Sequence, residues 1–269
     1  MRNSPTDSVD IITMNKRIQP AKECLTAFFC EHPKVALAFS GGVDSSYLLY
    51  AAVASGAAVC AYYARTPFQP AFEQRDAIRV ADHLGAKLVF IDLDVLESES
   101  VASNPKDRCY ACKAQIFSAI LKRACGDGYD VLIDGTNASD DAGDRPGMRA
   151  IFELGVLSPL RSCGMTKADV RLFSKQAGLF TWDKPAYACL ATRIPAGEPI
   201  TVDKLQHIER AEDYLMTLGF TDVRVRTERN RARIELPEAQ IPMFHEQKDG
   251  ILAELEKYFD SVQPAPGVR

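Results

Sequence analysis

Residues 35–56, VALAFSGGVDSSYLLYAAVASG, constrain the fold more than any other stretch. Val35 to Phe39 is a continuous apolar run of strand length, and residues 46–55 are helical in composition and stop at Gly56. A strand that turns sharply into a helix opens a crossover unit, and the following segments keep the alternation. AAVCAYY (57–63) reads as a buried strand, AFEQRDAIRVADHLG (71–85) as an amphipathic helix closed by Gly85, and KLVFIDL (87–93) as a further strand. This order predicts an α/β fold: a doubly wound, mostly parallel sheet with helices on both faces, binding ligands beyond the carboxyl ends of its strands.

The same grammar recurs in a helix at 113–124 and a strand at 130–136 that runs into a polar loop. A helix at 166–178 opens with Thr166 as N-cap and Asp169 three residues on, and ends at Gly178. The proline-rich stretch KPAYACLATRIPAGEPI (184–200) marks a boundary. The expected division is a nucleotide-type domain over residues 1–190 and a small α+β domain over 191–269, serving substrate binding or oligomerisation. In that second part Thr201 caps a helix to about Leu218, two short alternating strands follow, and a last helix reaches about Phe259. Period two places Arg224 and Arg226 on one face with Arg231, Arg233 and Glu235, so that with Arg229 five arginines are expected to crowd one side of a hairpin. The tail SVQPAPGVR (261–269) is expected to fray.

Charge and export signals narrow the partners. Lys and Arg number 32 against 36 Asp and Glu, a formal net charge of −4, so no global basic field recommends nucleic acid or an anionic membrane. The stretch MRNSPTDSVDIITMNKRI (1–18) lacks the apolar core of a signal peptide, and a cytoplasmic location is expected. The 8 cysteines are therefore expected to be mostly reduced thiols, with Cys24, Cys30, Cys60 and Cys125 acting as small buried hydrophobes and Cys163 undecided. Cys109, Cys112 and Cys189 lie in other contexts.

A glycine-rich turn between a strand and a helix N-terminus is an anion site: glycines let the backbone approach, and the first helical N–H groups point at the ligand. Ser40, Ser45 and Ser46 add hydroxyls to Gly41 and Gly42. Asp44 inside such a cradle would repel phosphate, which implies Mg²⁺ bridging the two. The bland alternative is an ordinary capped turn. SGGVDSS resembles the PP-loop of ATP pyrophosphatases, whose members cleave ATP between the α and β phosphates and adenylate a substrate oxygen.

Three further stretches, NPKDRCYACKAQIF (104–117), LIDGTNASDDAGDRPGMRA (132–150) and WDKPAYACLATRIPAGEPIT (182–201), together resemble the LarE family of pyridinium biscarboxylate mononucleotide sulfur transferases. The resemblance runs from about Pro33 to Leu236. It implies ATP with Mg²⁺, loss of pyrophosphate, an acyl-adenylate, and sulfur delivery that leaves a thiocarboxylate for nickel-pincer nucleotide synthesis. Ser40, Gly41, Gly42, Asp44, Ser45, Ser46, Gly135 and Thr136 match the nucleotide positions, and Thr192, Arg193, Glu212, Arg224 and Arg226 the substrate positions. Cys189 matches the sulfur-delivering position, with Asp44 as its catalytic counterpart at the loop. The family further implies a homo-oligomer and, for members with Cys109, Cys112 and Cys189 together, a 4Fe–4S cluster that accepts exogenous sulfide; other members surrender the cysteine's own sulfur.

From the residues alone, Arg193 is placed to stabilise a Cys189 thiolate. The Cys109/Cys112 pair can equally be a redox pair, or half of a zinc site completed by Cys163. His207 and His245 read as surface or packing residues, and Trp182 as stacking or packing. Competing functions are a tRNA thiolase that shares the loop, an amide-forming enzyme such as an NAD synthetase, and an ATP-sensing or iron–sulfur binding module. The acidic balance opposes the first, and the three cysteines oppose the second.

Overall fold

The computed structural model describes residues 19–140 and 146–266. The stretch read for export signals (1–18), the centre of the 132–150 motif (141–145) and the last tail residues (267–269) lie outside the described residues. The chain forms two compact units, one of residues 1–64, 73–92 and 113–184, the other of 65–72, 93–112 and 185–269.

In chain order the first part runs α1 (19–31), β1 (Lys34–Ala38), α2 (Val43–Ala54), β2 (Ala58–Arg65), α3 (Ala71–Leu84) and β3 (Lys87–Asp92). It continues with α4 (Glu99–Ala102), α5 (Arg108–Gly126), β4 (Leu132–Asp134), α6 (Pro146–Glu153), α7 (Pro159–Ser162) and α8 (Lys167–Gln176). The strands order β3-β2-β1-β4, with β1 parallel to both β2 and β4. Alternation along β1 explains the two helical layers. Val35 and Leu37 pack with residues of α2, α3 and α8. Ala36 belongs to a separate core with Phe117, Ile120 and Ala124 of α5. Because the chain leaves β1 toward β2 and later returns to its other side as β4, the strand order reverses there. The crevice beyond the carboxyl ends of β1 and β4 is the position this topology reserves for a ligand.

The second unit has its own core, built from α9 (Val202–Thr217), β5 (Arg224–Glu228), β6 (Arg231–Leu236), α10 (Ile241–Leu255) and β7 (Ser261–Pro266). Thr201 caps α9 as expected, accepting from the Lys204 amide. The tail corrects the sequence reading: residues 261–266 form a parallel partner of β6, with Val262 in the core. A proline inside a short run hides an edge strand, because Pro is tolerated only where its missing N–H is not needed. The hairpin register pairs Arg226 with Arg233 and Glu228 with Arg231, but Arg229 lies in the connecting turn at φ 56° and is not on the strand face. Four arginines share that face, not five.

The cysteine expectations also change. Cys24 and Cys163 form a disulfide, with Cα atoms 5.6 Å apart, so neither is a free thiol and Cys163 is not available to a zinc site. Leu25 and Phe29 take the buried side of α1, which leaves Cys30 exposed, and Cys125 is exposed as well. Among the described residues no helix is long and apolar enough to cross a membrane.

Candidate functional site

The loop after β1 is a set of interlocked hydroxyls on a glycine hinge. Gly41 has φ +71°, and a Cβ there would lie 2.9 Å from the Ala77 backbone, so only glycine allows the turn to press against α3. Helix α2 begins at Val43, earlier than its composition suggests, and Gly42 is its N-cap with no side-chain cap of its own. The first-turn N–H groups therefore lack an internal acceptor at this end. Ser40 and Ser45 hydroxyls lie 3.0 Å apart, and Ser45 also donates to the Gly42 carbonyl at 3.3 Å. Ser46 is fully buried, and its hydroxyl has no hydrogen-bond partner among the described residues.

The end of β4 is fitted against this helix start. A Cβ on Gly135 would lie 2.8 Å from the Ser45 amide nitrogen, so two backbones touch here. Thr136 turns its hydroxyl back onto Asp134 at 2.6 Å, and Ser158 donates to the same buried carboxylate at 2.7 Å. Beyond it, Asn137 donates to Asp44 at 3.3 Å and its own amide donates to Asp140 at 2.9 Å.

Sequence reasoning missed the cation of this site. Lys167 forms an ion pair with Asp44 at 2.5 Å. It is the first residue of α8, and the reciprocal capping box of Thr166 and Asp169 fixes that helix start, while the Lys167 amide donates to Ser139 at 2.9 Å. A lysine directly after a strong N-cap was the available signal. Burial raises the Asp44 carboxyl above its ordinary range; Lys167 opposes the shift and the Asp140 charge adds to it. Lys167 offsets only part of that burial, so a second cation would further favour the ionised carboxylate. Mg²⁺ is commonly bound through one or two carboxylates plus substrate phosphates, and the oxygen donors present fit that role.

The second unit carries Cys109, Cys112 and Cys189. Cys189 precedes a short 3-10 turn, Leu190–Arg193, in an otherwise irregular, proline-flanked segment. With no sheet or helix to absorb them, its carbonyls are held by side chains. Arg224 donates to the Ala186 carbonyl at 2.5 Å, Arg193 to Ala188 at 2.9 Å, Thr192 to Cys189 at 2.8 Å and Arg226 to Thr192 at 2.8 Å. Arg193 and Arg224 each sit 4.6 Å from the Tyr187 ring centre. Glu212 is almost fully buried and accepts from Arg193 at 2.8 and 3.1 Å, from the Val225 amide at 2.8 Å and from the Tyr187 hydroxyl. Burial and the Glu212 charge together push the Tyr187 phenol above its usual range.

The cation nearest in effect to Cys189 is not the expected one. Burial raises the Cys189 thiol; the Arg108 charge is the main counterweight, Cys109 pushes the other way, and Arg193 contributes less than Arg108. Arg193 is also ion-paired with Glu212. Arg108 stands immediately before Cys109 in the sequence, and its Nη2 reaches the Cys109 sulfur at 3.5 Å. Cys109 is exposed and Cys112 buried, one turn apart at the start of α5. Three thiols of one unit supply the right donor chemistry for an iron–sulfur cluster with one open iron. Their side chains do not converge: among the described residues no three His, Cys, Asp or Glu groups approach closely enough to hold a metal ion.

A cavity of about 600 Å³ adjoins this segment. Thr192, Arg193, Arg226, Arg231 and Arg233 line it, with Ser261 and Gln263 from the unexpected strand β7. Arg224, by contrast, is 3% exposed and lies under the loop, where it also meets Asp222. His207 packs against Tyr258 and Phe259, and Trp182 lies under the Lys175 ammonium, so both serve packing.

No family model matches the chain. It is 34% identical over 237 residues, 87% of this chain and 86% of the relative, to pyridinium-3,5-bisthiocarboxylic acid mononucleotide synthase of Lactiplantibacillus plantarum. The chain belongs to the LarE family. An uncharacterized protein of Synechocystis sp. is 40% identical over 240 residues, 89% of both chains. The tRNA-specific 2-thiouridylase MnmA of Salinispora arenicola is 30% identical over 190 residues, 56% of this chain and 52% of its own. The LarE family is one of enzymes, and the distant thiouridylase match agrees with the PP-loop α/β fold described above.

Proposed function

We propose that this chain is an ATP-dependent sulfur transferase that adenylates a carboxylate of pyridinium biscarboxylic acid mononucleotide, releases pyrophosphate, and installs sulfur as a thiocarboxylate. The observation that carries the reading is the holding of Cys189. A cysteine whose flanking carbonyls are each fixed by a side chain is oriented for chemistry and not merely packed.

In this reading the N–H groups at the start of α2, with Ser40, Gly41, Gly42 and Ser45, receive the ATP phosphates. Asp44 would hold a Mg²⁺, which when bound would neutralise the departing pyrophosphate, and Lys167, paired with Asp44 here, is the side-chain cation at this end of the loop for the phosphate oxygens. Gly135 and Thr136 keep the facing wall close to the helix start. The substrate phosphate lies in the arginine-lined cavity, met by Arg226 with Arg231 and Arg233, and the guanidinium fork suits it. Arg193, Glu212 and Arg224 act by holding the Cys189 segment, and Thr192 reaches both that segment and the cavity. Sulfur then attacks the activated carbonyl and AMP departs with the electron pair of its bond. Sulfide gives the thiocarboxylate directly, whereas attack by Cys189 gives a thioester that releases it by loss of the Cα proton and cleavage of the Cβ–Sγ bond, leaving dehydroalanine. Cys109, Cys112 and Cys189 are the residues that would hold a 4Fe–4S cluster, which when bound supplies an iron position open to exogenous sulfide.

The test is turnover by anaerobically purified protein with ATP, Mg²⁺ and the mononucleotide, following pyrophosphate, AMP and thiocarboxylate. Pyrophosphate release that depends on the mononucleotide is expected; release that depends on bulk tRNA instead would replace this reading with a thiolase. Protein mass after turnover separates the sulfur routes. Loss of H₂S from Cys189 marks a sacrificial cysteine, whereas unchanged mass with iron, sulfide and continued product marks the cluster.

A further inference from the structure

We propose that Arg108 is a further catalytic residue of the sulfur transfer, donating to the oxyanion that forms when sulfur attacks the activated carbonyl. The inference rests on the function proposed above. Its basis is an unmet hydrogen-bonding demand. Arg108 is 7% exposed, and its Nη1 is buried with no hydrogen-bond partner. A guanidinium cannot give up its charge and has no acceptor of its own, so a buried N–H left open calls for a group with lone pairs, which a bound water can supply in the resting site and a substrate oxygen can replace.

The other buried arginines of the unit are differently served. Arg193 has Glu212, and Arg224 has the Ala186 and Val223 carbonyls with Asp222 beside it. Arg108 is instead seated on an aromatic ring and a sulfur: its guanidinium lies 5.6 Å from the Phe68 ring centre and its Nη2 3.5 Å from the Cys109 Sγ. Phe68 ties this seat to the nucleophile, because its carbonyl accepts from the Leu190 amide at 2.9 Å, the residue next to Cys189.

An anion with free lone pairs is the acceptor that the Arg108 Nη1 lacks. The acyl-transfer step generates such an anion. The sulfur forms a bond to the carbonyl carbon and loses its proton to solvent, and the π pair moves onto oxygen. The pair then returns as the bond to AMP breaks, and AMP leaves with its electrons. A donor aimed where that charge develops accelerates this step and leaves the earlier adenylation untouched.

The experiment compares wild type with Arg108→Met and Arg108→Lys, each checked by thermal melting and by iron and sulfide content. Mononucleotide-dependent exchange of labelled pyrophosphate into ATP reports adenylation, and single-turnover AMP release reports sulfur attack. Exchange is expected to stay within about threefold of wild type in both variants. AMP release should fall roughly 10²–10³-fold in Arg108→Met, the range seen when one oxyanion donor is removed, and less in Arg108→Lys. Equal loss of exchange and AMP release in folded protein would overturn the assignment, and so would AMP release at the wild-type rate. Loss of iron in step with AMP release would instead make Arg108 a holder of the cysteines. Absence of exchange in wild type would sink the functional reading itself, a result distinct from any of these.

Discussion

Replacing Glu212 by Ala tests whether the buried network behind Cys189 is structural. Glu212 and Arg193 side chains are each 1% exposed, and the carboxylate also receives the Val225 amide and the Tyr187 hydroxyl. Removing one member of a buried ion pair strands its partner, at a cost of about 3–5 kcal/mol. The orphaned Val225 N–H adds roughly 1–3 kcal/mol. A loss of about 4–8 kcal/mol is therefore expected, and at roughly 2–4 °C per kcal/mol for a chain of this size it lowers the melting temperature by on the order of 10–30 °C. Far-UV circular dichroism is the suitable probe, because Trp182 belongs to the other unit. The double variant Arg193→Met/Glu212→Leu removes both charges and should be more stable than Glu212→Ala alone, since apolar replacement of a buried pair is often neutral or better. A single variant costing under about 1 kcal/mol, or a double variant whose losses simply add, would refute the reasoning.

Gly135→Ala should impair pyrophosphate release, because its methyl would lie 2.8 Å from the Ser45 nitrogen and push the α2 start aside. Overpacking of this kind costs about 1–3 kcal/mol, so nucleotide affinity should fall more than stability. Asp44→Asn should abolish pyrophosphate release yet leave the protein as stable as wild type or more so at neutral pH. Burial raises the folded carboxyl above its unfolded value of 3.8, so as pH rises through that window the unfolded state loses its proton first and stability falls. The penalty is complete above the folded pKa, and the amide does not carry it; denaturation curves of both proteins between pH 4 and 8 read the difference. Alkylation of the denatured, unreduced protein followed by peptide mass analysis should find Cys24 and Cys163 joined and the other six cysteines modified.

The sheet and the nucleotide loop were legible because each rests on local pattern. A strand-length apolar run, a glycine turn and a helical run leave few alternatives, and the Thr166/Asp169 cap is visible as two residues at fixed spacing. What escaped depends on distant residues meeting. Nothing in local spacing pairs Cys24 with Cys163 across 139 residues, and β7 carries a proline that disguises its edge position. Lys167 and Arg108 were in plain sight beside Thr166 and Cys109, but which of many cations faces a given carboxylate or thiol is decided by packing. Arg193 shows the same limit in part: its charge does favour the Cys189 thiolate, but its ion pair with Glu212 and the larger effect of Arg108 are reached only through the fold.

Arg226 then acquires a meaning that its place in an alternating strand could not convey. Its Nη1 fixes the Thr192 carbonyl, its Nε is held by Glu235 at 2.7 Å, and the side chain still lines the arginine cavity. Thr192 in turn holds the Cys189 carbonyl. Under the proposed function, a substrate phosphate in the cavity would therefore pull on a guanidinium that holds the Thr192 carbonyl, next to the hydrogen bond on Cys189. A segment built of turns and prolines has no ladder to keep it rigid, so its order depends on such side-chain contacts being strong at once. Phosphate binding and sulfur positioning would then draw on one side chain, and binding energy from a remote part of the substrate would serve to orient the reacting atom.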